Sequence, residues 1–531
     1  MKKYQKQNRN YFFGALICVF ISTVFAVTLQ FLKGDVLDYA IAGETAQTGR
    51  YAVLLIAFIL CEIFFYFCYK QFSAGFVVGC TKSLRRDIFD SIMRRDFVKY
   101  KEHQQGEYIS KLTNEVNAIK TRRFQMLPML WEILFKSIFV SAALFLLDWR
   151  LALITITLLT TPLYVPKLIE KKLQKAQTEY LDSVEDNLAK VNDWLKGFEI
   201  IKNFSIEEKI LLKFNESNNH SMNRLMKDTA LGAVSQLITT LISYLSYFVV
   251  LVCAVWLVLQ GDFTAGNFFV AIGMIDQLSY PLLSLAEIIR QLIAIRPACD
   301  SVVSFMEEGV NSKRGRVLHE VSDRIEYRSV TFAYPDEPPI LHDFNFTAGM
   351  GRRYLIKGPS GCGKTTAVNL LLRYHDVNEG SIVIDGVPIS EYDSTYGCIT
   401  VVRQEAVLFH DSLRNNLTMY QDISDDRLVS VLKSLGLDKF ANSVSLDALI
   451  MEDGANLSGG EKKRICLARA LLRDTDILIL DEPLANLDDA TAAKIEDILL
   501  SIKCRLLIVV SHQFSETRLA SFDDVLTFQK M

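Results

Sequence analysis

The sequence predicts a membrane-embedded α-helical bundle of six spans followed by an α/β domain, and three observations carry that expectation. Charge-free apolar runs long enough to cross a bilayer crowd into roughly the first 300 of the 531 residues. Beyond about residue 320 the pattern changes to short apolar strands alternating with helices. A glycine-rich loop, Gly358 to Thr366, stands between one such strand and one such helix.

Half of the residues are apolar and the mean hydropathy is +0.20, yet the apolar residues are unevenly spread, so two units in different solvents are expected. A net charge of -3 lacks the basic excess of a nucleic-acid binder, and no nucleic-acid partner is expected. The ten cysteines show neither CxxC spacing nor alternation with histidines, which argues against a zinc or disulfide framework and suits a reducing cytosol. The first apolar run reads as a retained anchor, because it is of spanning length and no small-residue cleavage site follows it.

Phe12 to Phe31 is free of charge and, at 1.5 Å per residue, reaches across a hydrocarbon core of about 30 Å. Tyr51 to Tyr69 follows with one acid, Glu62. Phe124 to Leu147 and Leu151 to Pro166 are separated only by Asp148, Trp149 and Arg150, which requires a tight hairpin; Leu231 to Gln260 and Phe263 to about Leu292 turn at Gly261 and Asp262. Basic residues orient these spans: residues 1-10 hold four, 82-123 eleven and 167-227 eleven, against Lys33, Arg50 and Arg150 in the opposite loops. Basic loops stay in the cytosol, so both termini and the α/β domain are expected there. The two long basic stretches are helical in composition, so spans two to five are expected to continue far below the membrane.

Ionisable residues in or near spans are costly and are either paired or functional. Glu132 and Lys136, four apart on one helix face, are expected to pair. Glu62, Asp276, Glu287 and Arg290 are candidates for lining a cavity, the last three on a helix that Pro281 deprives of a backbone donor.

In the second half, Arg353 to Lys357 reads as a strand, GPSGCGKTT runs from Gly358 to Thr366, and AVNLLLRY opens as a helix. In that context Gly358, Pro359, Ser360, Gly361, Cys362, Gly363, Lys364, Thr365 and Thr366 form a phosphate-binding P-loop: glycines let backbone N-H groups face phosphate oxygens, Lys364 meets the β/γ phosphates and Thr365 offers a hydroxyl to Mg²⁺. ATP and Mg²⁺ are thus the expected ligands. The run ILILDEP suits a buried parallel strand, Ile477 to Leu480, that ends in two acids. Ligands sit beyond the carboxyl ends of such strands, so Asp481 is placed to reach Mg²⁺ and Glu482 to orient or deprotonate the attacking water.

LSGGEKKRICLARALL, from Leu457 to Leu472, precedes that strand and resembles the signature motif of ABC ATPases. Its first residues open a helix whose free N-H groups and dipole make a second phosphate clamp. The resemblance implies that Leu457, Ser458, Gly459, Gly460 and Glu461 act on ATP held by another subunit, in a head-to-tail dimer; Glu461 stands where the family usually has glutamine. Further matches imply further roles. Tyr334 in FAYP resembles the aromatic that stacks on adenine, and Gln404 in VVRQEAVLF the glutamine linking Mg²⁺ and water to the membrane domain. ANLD, ending at Asp488, resembles the loop that crosses the dimer interface, and His512 in VVSHQ the switch histidine at the γ-phosphate. GEYISKLTNEV (Gly106 to Val116) and WLKGFEIIKNFSIEEKILLKF (Trp194 to Phe214) look like the segments that carry the coupling helices of ABC exporters, expected near 98-107 and 195-206.

Taken together, residues 1-310 are expected to form a transmembrane domain, 311-322 a linker and 323-531 an ABC-type ATPase domain. The expected function is ATP-driven export of an amphipathic small molecule, peptide or lipid by alternating access, in a bacterial plasma membrane. No cysteine-protease domain precedes the first span, which disfavours a leader-processing peptide exporter. Import of a siderophore-like ligand and an ATP-gated channel on the same scaffold are the alternatives. A second half-transporter is the expected partner, with a homodimer favoured over a heterodimer because Lys364, Glu482, His512 and the signature all stand in one chain.

Overall fold

The computed structural model describes residues 1–161, 165–308, 316–335, 337–359, 361–392, 394–484, 489–502, 505–511, 514 and 516–528. The chain forms two compact units, one of Met1–Met93 with Gln104–Glu308 and the other of Arg94–His103 with Gly309–Met531.

The long helices run in chain order as α1 (Arg9–Ile41), α2 (Thr45–Met93), the short α3 (Phe97–Lys101) of the second unit, then α4 (Met126–Leu147), α5 (Trp149–Thr160), α6 (Val165–Lys196), the short α7 (Phe198–Asn203), α8 (Glu207–Leu259), α9 (Ala265–Ala294) and α10 (Arg296–Glu308). Among the described residues, Arg9–Ile41, Thr45–Met93, Gln105–Leu147 and Glu207–Leu259 are long and apolar enough to cross a membrane, and Trp149–Thr160 and Ala265–Leu278 are shorter apolar helices. Each expected span falls on one of these six; in the fourth, residues 162–164 lie outside the described set. The short helix α3 overlaps the interval 98-107 but ends before Gly106, and α7 lies within 195-206.

Local chemistry sets the hairpins. Asp148 alone separates α4 from α5, and its carboxylate accepts the N-H groups of Arg150 (2.8 Å) and Leu151 (3.0 Å), capping α5. Arg150 then pairs with Asp148 and, at 2.8 Å, with Asp262 in the turn between α8 and α9. Thr264 caps α9 by accepting the Asn267 N-H, while Asp38 of α1 accepts both the Thr264 hydroxyl (2.6 Å) and the Gly266 N-H (2.7 Å). Helices α1 and α9 meet nearly backbone to backbone there: a Cβ on Gly34 would lie 2.5 Å from the Val270 side chain. Inside, Leu151, Ala152, Val250, Ala254, Met274 and Leu278 share one core. Outside, Ile17, Leu60, Phe64, Leu241 and Phe248 are each more than half exposed, a surface suited to lipid rather than water.

The second unit adds β1 (Arg324–Phe332), β2 (Leu341–Gly349), β3 (Arg353–Lys357), α11 (Lys364–Leu371), β4 (Glu379–Ile384), β5 (Val387–Pro388), β6 (Ile399–Val402), α12 (Gly459–Arg473), β7 (Ile477–Asp481), α13 (Asp489–Ser501), β8 (Leu506–Val510) and β9 (Asp524–Thr527). An antiparallel sheet orders β2-β1-β4-β5, and a parallel sheet orders β6-β7-β8-β3-β9. The parallel strands are apolar on both faces because each face has its own core. Tyr354, Ile356, Ile477, Ile479, Ile508 and Val510 point into one, with the antiparallel sheet; Leu355, Leu478, Leu480, Leu507 and Val509 point into the other, with α12 and α13. Parallel pairing brings the carboxyl ends of β3, β6, β7 and β8 to a single edge.

Candidate active site

The phosphate loop leaves β3 and enters α11. Gly358 has φ 153° and Gly363 φ 96°, and at both positions a Cβ would collide, with Cys362 Sγ and Phe528 O at 2.8 Å in the first case and with Leu341 Cδ2 at 2.9 Å in the second. Only glycine fits this path. Lys364 is the first residue of α11, is buried, and donates to the carbonyls of Gly358 (2.7 Å) and Pro359 (2.8 Å). Its charge is therefore held at the centre of the loop. Thr366, in the first turn of the helix, lies 3.4 Å from the hydroxyl of Tyr334, whose ring packs edge-on against Phe332 and His375.

The acids come from β7. Its register with β6 pairs Leu480 with Val402, so Asp481 and Glu482 leave the sheet beside Arg403 and Gln404. Asp481 is buried, and its carboxylate lies 3.3 Å from the Thr365 hydroxyl and 3.5 Å from the Arg403 guanidinium. Burial pushes its pKa upward, against the Arg403 charge and the Thr365 hydroxyl. A hydroxyl and a carboxylate set this close supply the hard oxygen donors that Mg²⁺ prefers, so the residues present fit that ion. Glu482 follows with φ 52°, a left-handed conformation that costs a side-chain-bearing residue about 1–2 kcal/mol. It is pinned there by its N-H, which donates to Val510 O on β8 at 2.8 Å. Gln404 is exposed in the loop after β6.

Sequence reasoning passed over Arg403. Besides facing Asp481, its guanidinium donates to Asn369 Oδ1 of α11 at 2.7 Å and lies 5.5 Å from the centre of the Tyr374 ring. Tyr374 in turn stacks on Phe97 of α3, ring centres 3.7 Å apart. Carboxylate, guanidinium and two rings thus form one continuous series, along the wall of a cavity of about 1020 Å³ that Phe97, Tyr374 and Arg403 help to line. A cation just after a short apolar strand is too common in sequence to signal this.

The signature residues form a separate construction. Ser458 caps α12, accepting the Glu461 N-H at 3.3 Å, while Glu461 accepts the Ser458 N-H at 2.9 Å, a reciprocal capping box. Glu461 also pairs with Lys439 at 2.6 Å; although burial pushes the other way, that ammonium and the Ser458 N-H hold its pKa below the usual range. Glu461, where the resemblance led one to expect glutamine, therefore caps the helix and adds an ion pair. Among the described residues, Ser458, Glu461 and Lys439 bind one another rather than the phosphate loop. Leu457 leads into this cap and Gly460 lies in the first turn of α12. Ser360, Ala485 to Asp488 and His512 lie outside the described residues.

In the first unit, Lys136 pairs with Glu132 at 2.9 Å as expected from their spacing. Glu62 accepts from the Ser22 hydroxyl at 3.4 Å, Glu287 pairs with Arg290 at 2.7 Å, and Asp276 is exposed.

Residues 11–282 match the family model described as ABC transporter transmembrane region, and residues 341–485 the one described as ABC transporter. An ATP-dependent lipid A-core flippase of Syntrophus aciditrophicus (strain SB) is 27% identical over 518 residues, covering 95% of this chain and 85% of that protein. An uncharacterized ABC transporter ATP-binding protein of Bacillus subtilis (strain 168) is 27% identical over 453 residues, 82% of this chain and 78% of that one. The structure of a bacterial Atm1-family ABC exporter with ATP bound superposes with a TM-score of 0.80 at 22% identity, covering 98% of this chain and 93% of that chain.

Proposed function

Because this chain belongs to the ABC transporter family, its membrane region and its ATPase joined in one polypeptide, we propose that it is one half of a dimeric exporter for an amphipathic small molecule, peptide or lipid. Hydrolysis of ATP powers transport across the bilayer in which the first unit is embedded. The flippase name of several relatives favours a lipid-like cargo.

The observation that carries the assignment of the site is the meeting of Thr365 with Asp481 at 3.3 Å, which joins the phosphate loop to the acids of β7 on one sheet edge. In this reading the loop N-H groups and Lys364 hold the β/γ phosphates, and Tyr334 stacks on adenine. Thr365, Asp481 and Gln404 would hold Mg²⁺, which when bound neutralises charge on the phosphates. Glu482 accepts the proton of the attacking water, and its fixed left-handed backbone keeps the carboxylate on station. His512 contacts the γ-phosphate. The capped N-terminus of α12, with Asp488, closes over ATP held by the second subunit. Residues 1-310 would form the membrane domain, 311-322 the linker and 323-531 the ATPase, both termini facing the cytosol of a bacterial cell.

The series from Asp481 through Arg403 and Tyr374 to Phe97 offers a route for coupling. Tyr374→Leu removes the stack and the cation-π contact together; it is expected to lower substrate-stimulated ATPase and transport severalfold while ATP affinity stays near that of the unaltered protein. Equal transport in the variant would exclude the route.

The homodimer reading is tested on the chain purified alone in lipid. A two-chain particle with Mg²⁺-dependent ATPase activity, and cargo uptake into inverted vesicles that stops with hydrolysis, is the expected result. An inactive particle rescued only by a different chain would replace it with a heterodimer, and conductance that persists without turnover would point to a channel.

A further inference from the structure

Lys70 is the first charged residue after the apolar run Tyr51 to Tyr69, and the structure sets it against a pair on another helix. Its ammonium lies 3.5 Å from Glu132 Oε2, while the Lys136 ammonium lies 2.9 Å from Glu132 Oε1. Two cations therefore share one carboxylate. The Lys70 ammonium also lies 4.7 Å from the ring centres of both Tyr66 and Tyr69, and that of Lys136 lies 5.6 Å from Tyr66. These side chains, with Pro281 of α9, line a cavity of about 290 Å³ in which, among the described residues, Lys70, Glu132 and Lys136 are the charged ones. Its lining carries a net charge of plus one.

An uncompensated positive charge at the border of an apolar span is costly unless something anionic or water meets it. The pair Glu132 and Lys136 would be neutral by itself; Lys70 is what unbalances it. Purely structural pairing needs one lysine, not two. The aromatic walls hold the cations without neutralising them, since a ring face attracts an ammonium yet carries no net charge. In size the cavity stands at the small end of ligand sites, which run to about 300–1,000 Å³. It suits a head group, with any tail left among lipid-facing side chains.

We propose that this cavity binds an anionic group, a phosphate or carboxylate, between Lys70 and Lys136, and so selects an anionic amphipath for transport. Glu132 spaces the two ammonium groups and competes with the ligand for them. The inference rests on the transporter reading above, in which this level of the bundle borders the cytosol.

The test uses the full chain in nanodiscs of phosphatidylcholine, without nucleotide, and measures equilibrium binding of decyl phosphate against neutral decyl maltoside. Saturable binding of decyl phosphate alone is expected. Lys70→Gln and Lys136→Gln should each weaken it by about tenfold, as for the loss of one charged hydrogen bond. Glu132→Gln should strengthen it, because the competing carboxylate is gone, whereas a merely structural role for Glu132 predicts weaker binding or an unfolded chain. Lys70→Gln is decisive even if the other variants misfold, since that side chain is half exposed and its loss leaves the Glu132 and Lys136 pair intact. Inorganic phosphate that displaces the probe at matching concentration would keep the anion site and assign it to a free anion; displacement only by excess decyl phosphate would assign it to an amphipath. Equal binding of decyl maltoside, or undiminished affinity in Lys70→Gln, would overturn the proposal. Anion binding in a chain that hydrolyses no ATP would support the site while sinking the transporter reading, and transport without anion binding would do the reverse.

Discussion

Replacing Lys364 by alanine is expected to abolish transport and to lower ATPase activity by on the order of 100-fold or more, the scale on which the loss of one preorganised electrostatic contact acts. The reason lies in where the ammonium sits. It is buried in the phosphate loop and held by the carbonyls of Gly358 and Pro359, so it is positioned before ATP arrives and loses little freedom when it transfers to phosphate oxygens. Alanine also leaves those two carbonyls without their donor. The measurement therefore needs two readings: ATP affinity and turnover on the purified protein in lipid, and thermal unfolding of the second unit's signal. A weak-binding, inactive protein that unfolds near the original temperature is the expected outcome. Full ATPase activity in the variant would remove the loop from the site.

Glu482→Gln should behave differently, keeping ATP binding and losing turnover by roughly 100- to 10,000-fold, the usual contribution of a general base. Glutamine has the shape of glutamate and tolerates the same backbone, so the left-handed residue and its N-H bond to Val510 O survive. What it gives up is the proton acceptor. A dimer that closes on ATP and cannot reset should accumulate, visible as ATP-dependent cross-linking between copies across α12. Rapid turnover in this variant would move the base to another residue, and absence of ATP-dependent closure would count against the dimer mechanism.

How much of this was legible beforehand differs by kind of signal. The P-loop, the strand ILILD and the start of α12 were readable because glycine spacing and apolar runs are local properties of the chain, whereas the reciprocal cap between Ser458 and Glu461 was not read and emerges only in the structure. The spans were readable for the same reason, and α2 runs on past Tyr69 to Met93 as expected for spans two to five, whereas the continuation of α1 past Phe31 to Ile41, through Gly34, was not expected. What could not be read is what depends on distant segments meeting. Glutamate 482 gives no hint in sequence of its φ, which β8 imposes. Arg403 gains its meaning from Asp481, Tyr374 and Phe97, which come from well-separated stretches of the chain. Glu132 and Lys136 were visible as a pair by spacing, but Lys70 stands 62 residues from Glu132 in sequence, so the imbalance of charge was hidden. Glu62, Asp276, Glu287 and Arg290 were reasonable candidates on cost alone, yet none of them lines the cavity beside Glu132.

Helix α8 has a mechanical side. It runs 53 residues without a proline, from Glu207 beside α7 to Leu259 near the Arg150 and Asp262 pair. At 1.5 Å per residue it is a rod of about 80 Å, so a tilt of only ~5° about one end sweeps the other through about 7 Å, more than one helical pitch. A rod of that length trades angle for distance, as a long oar does. Shortening such a beam, or hinging it at mid-length, would cost stroke before it cost stability.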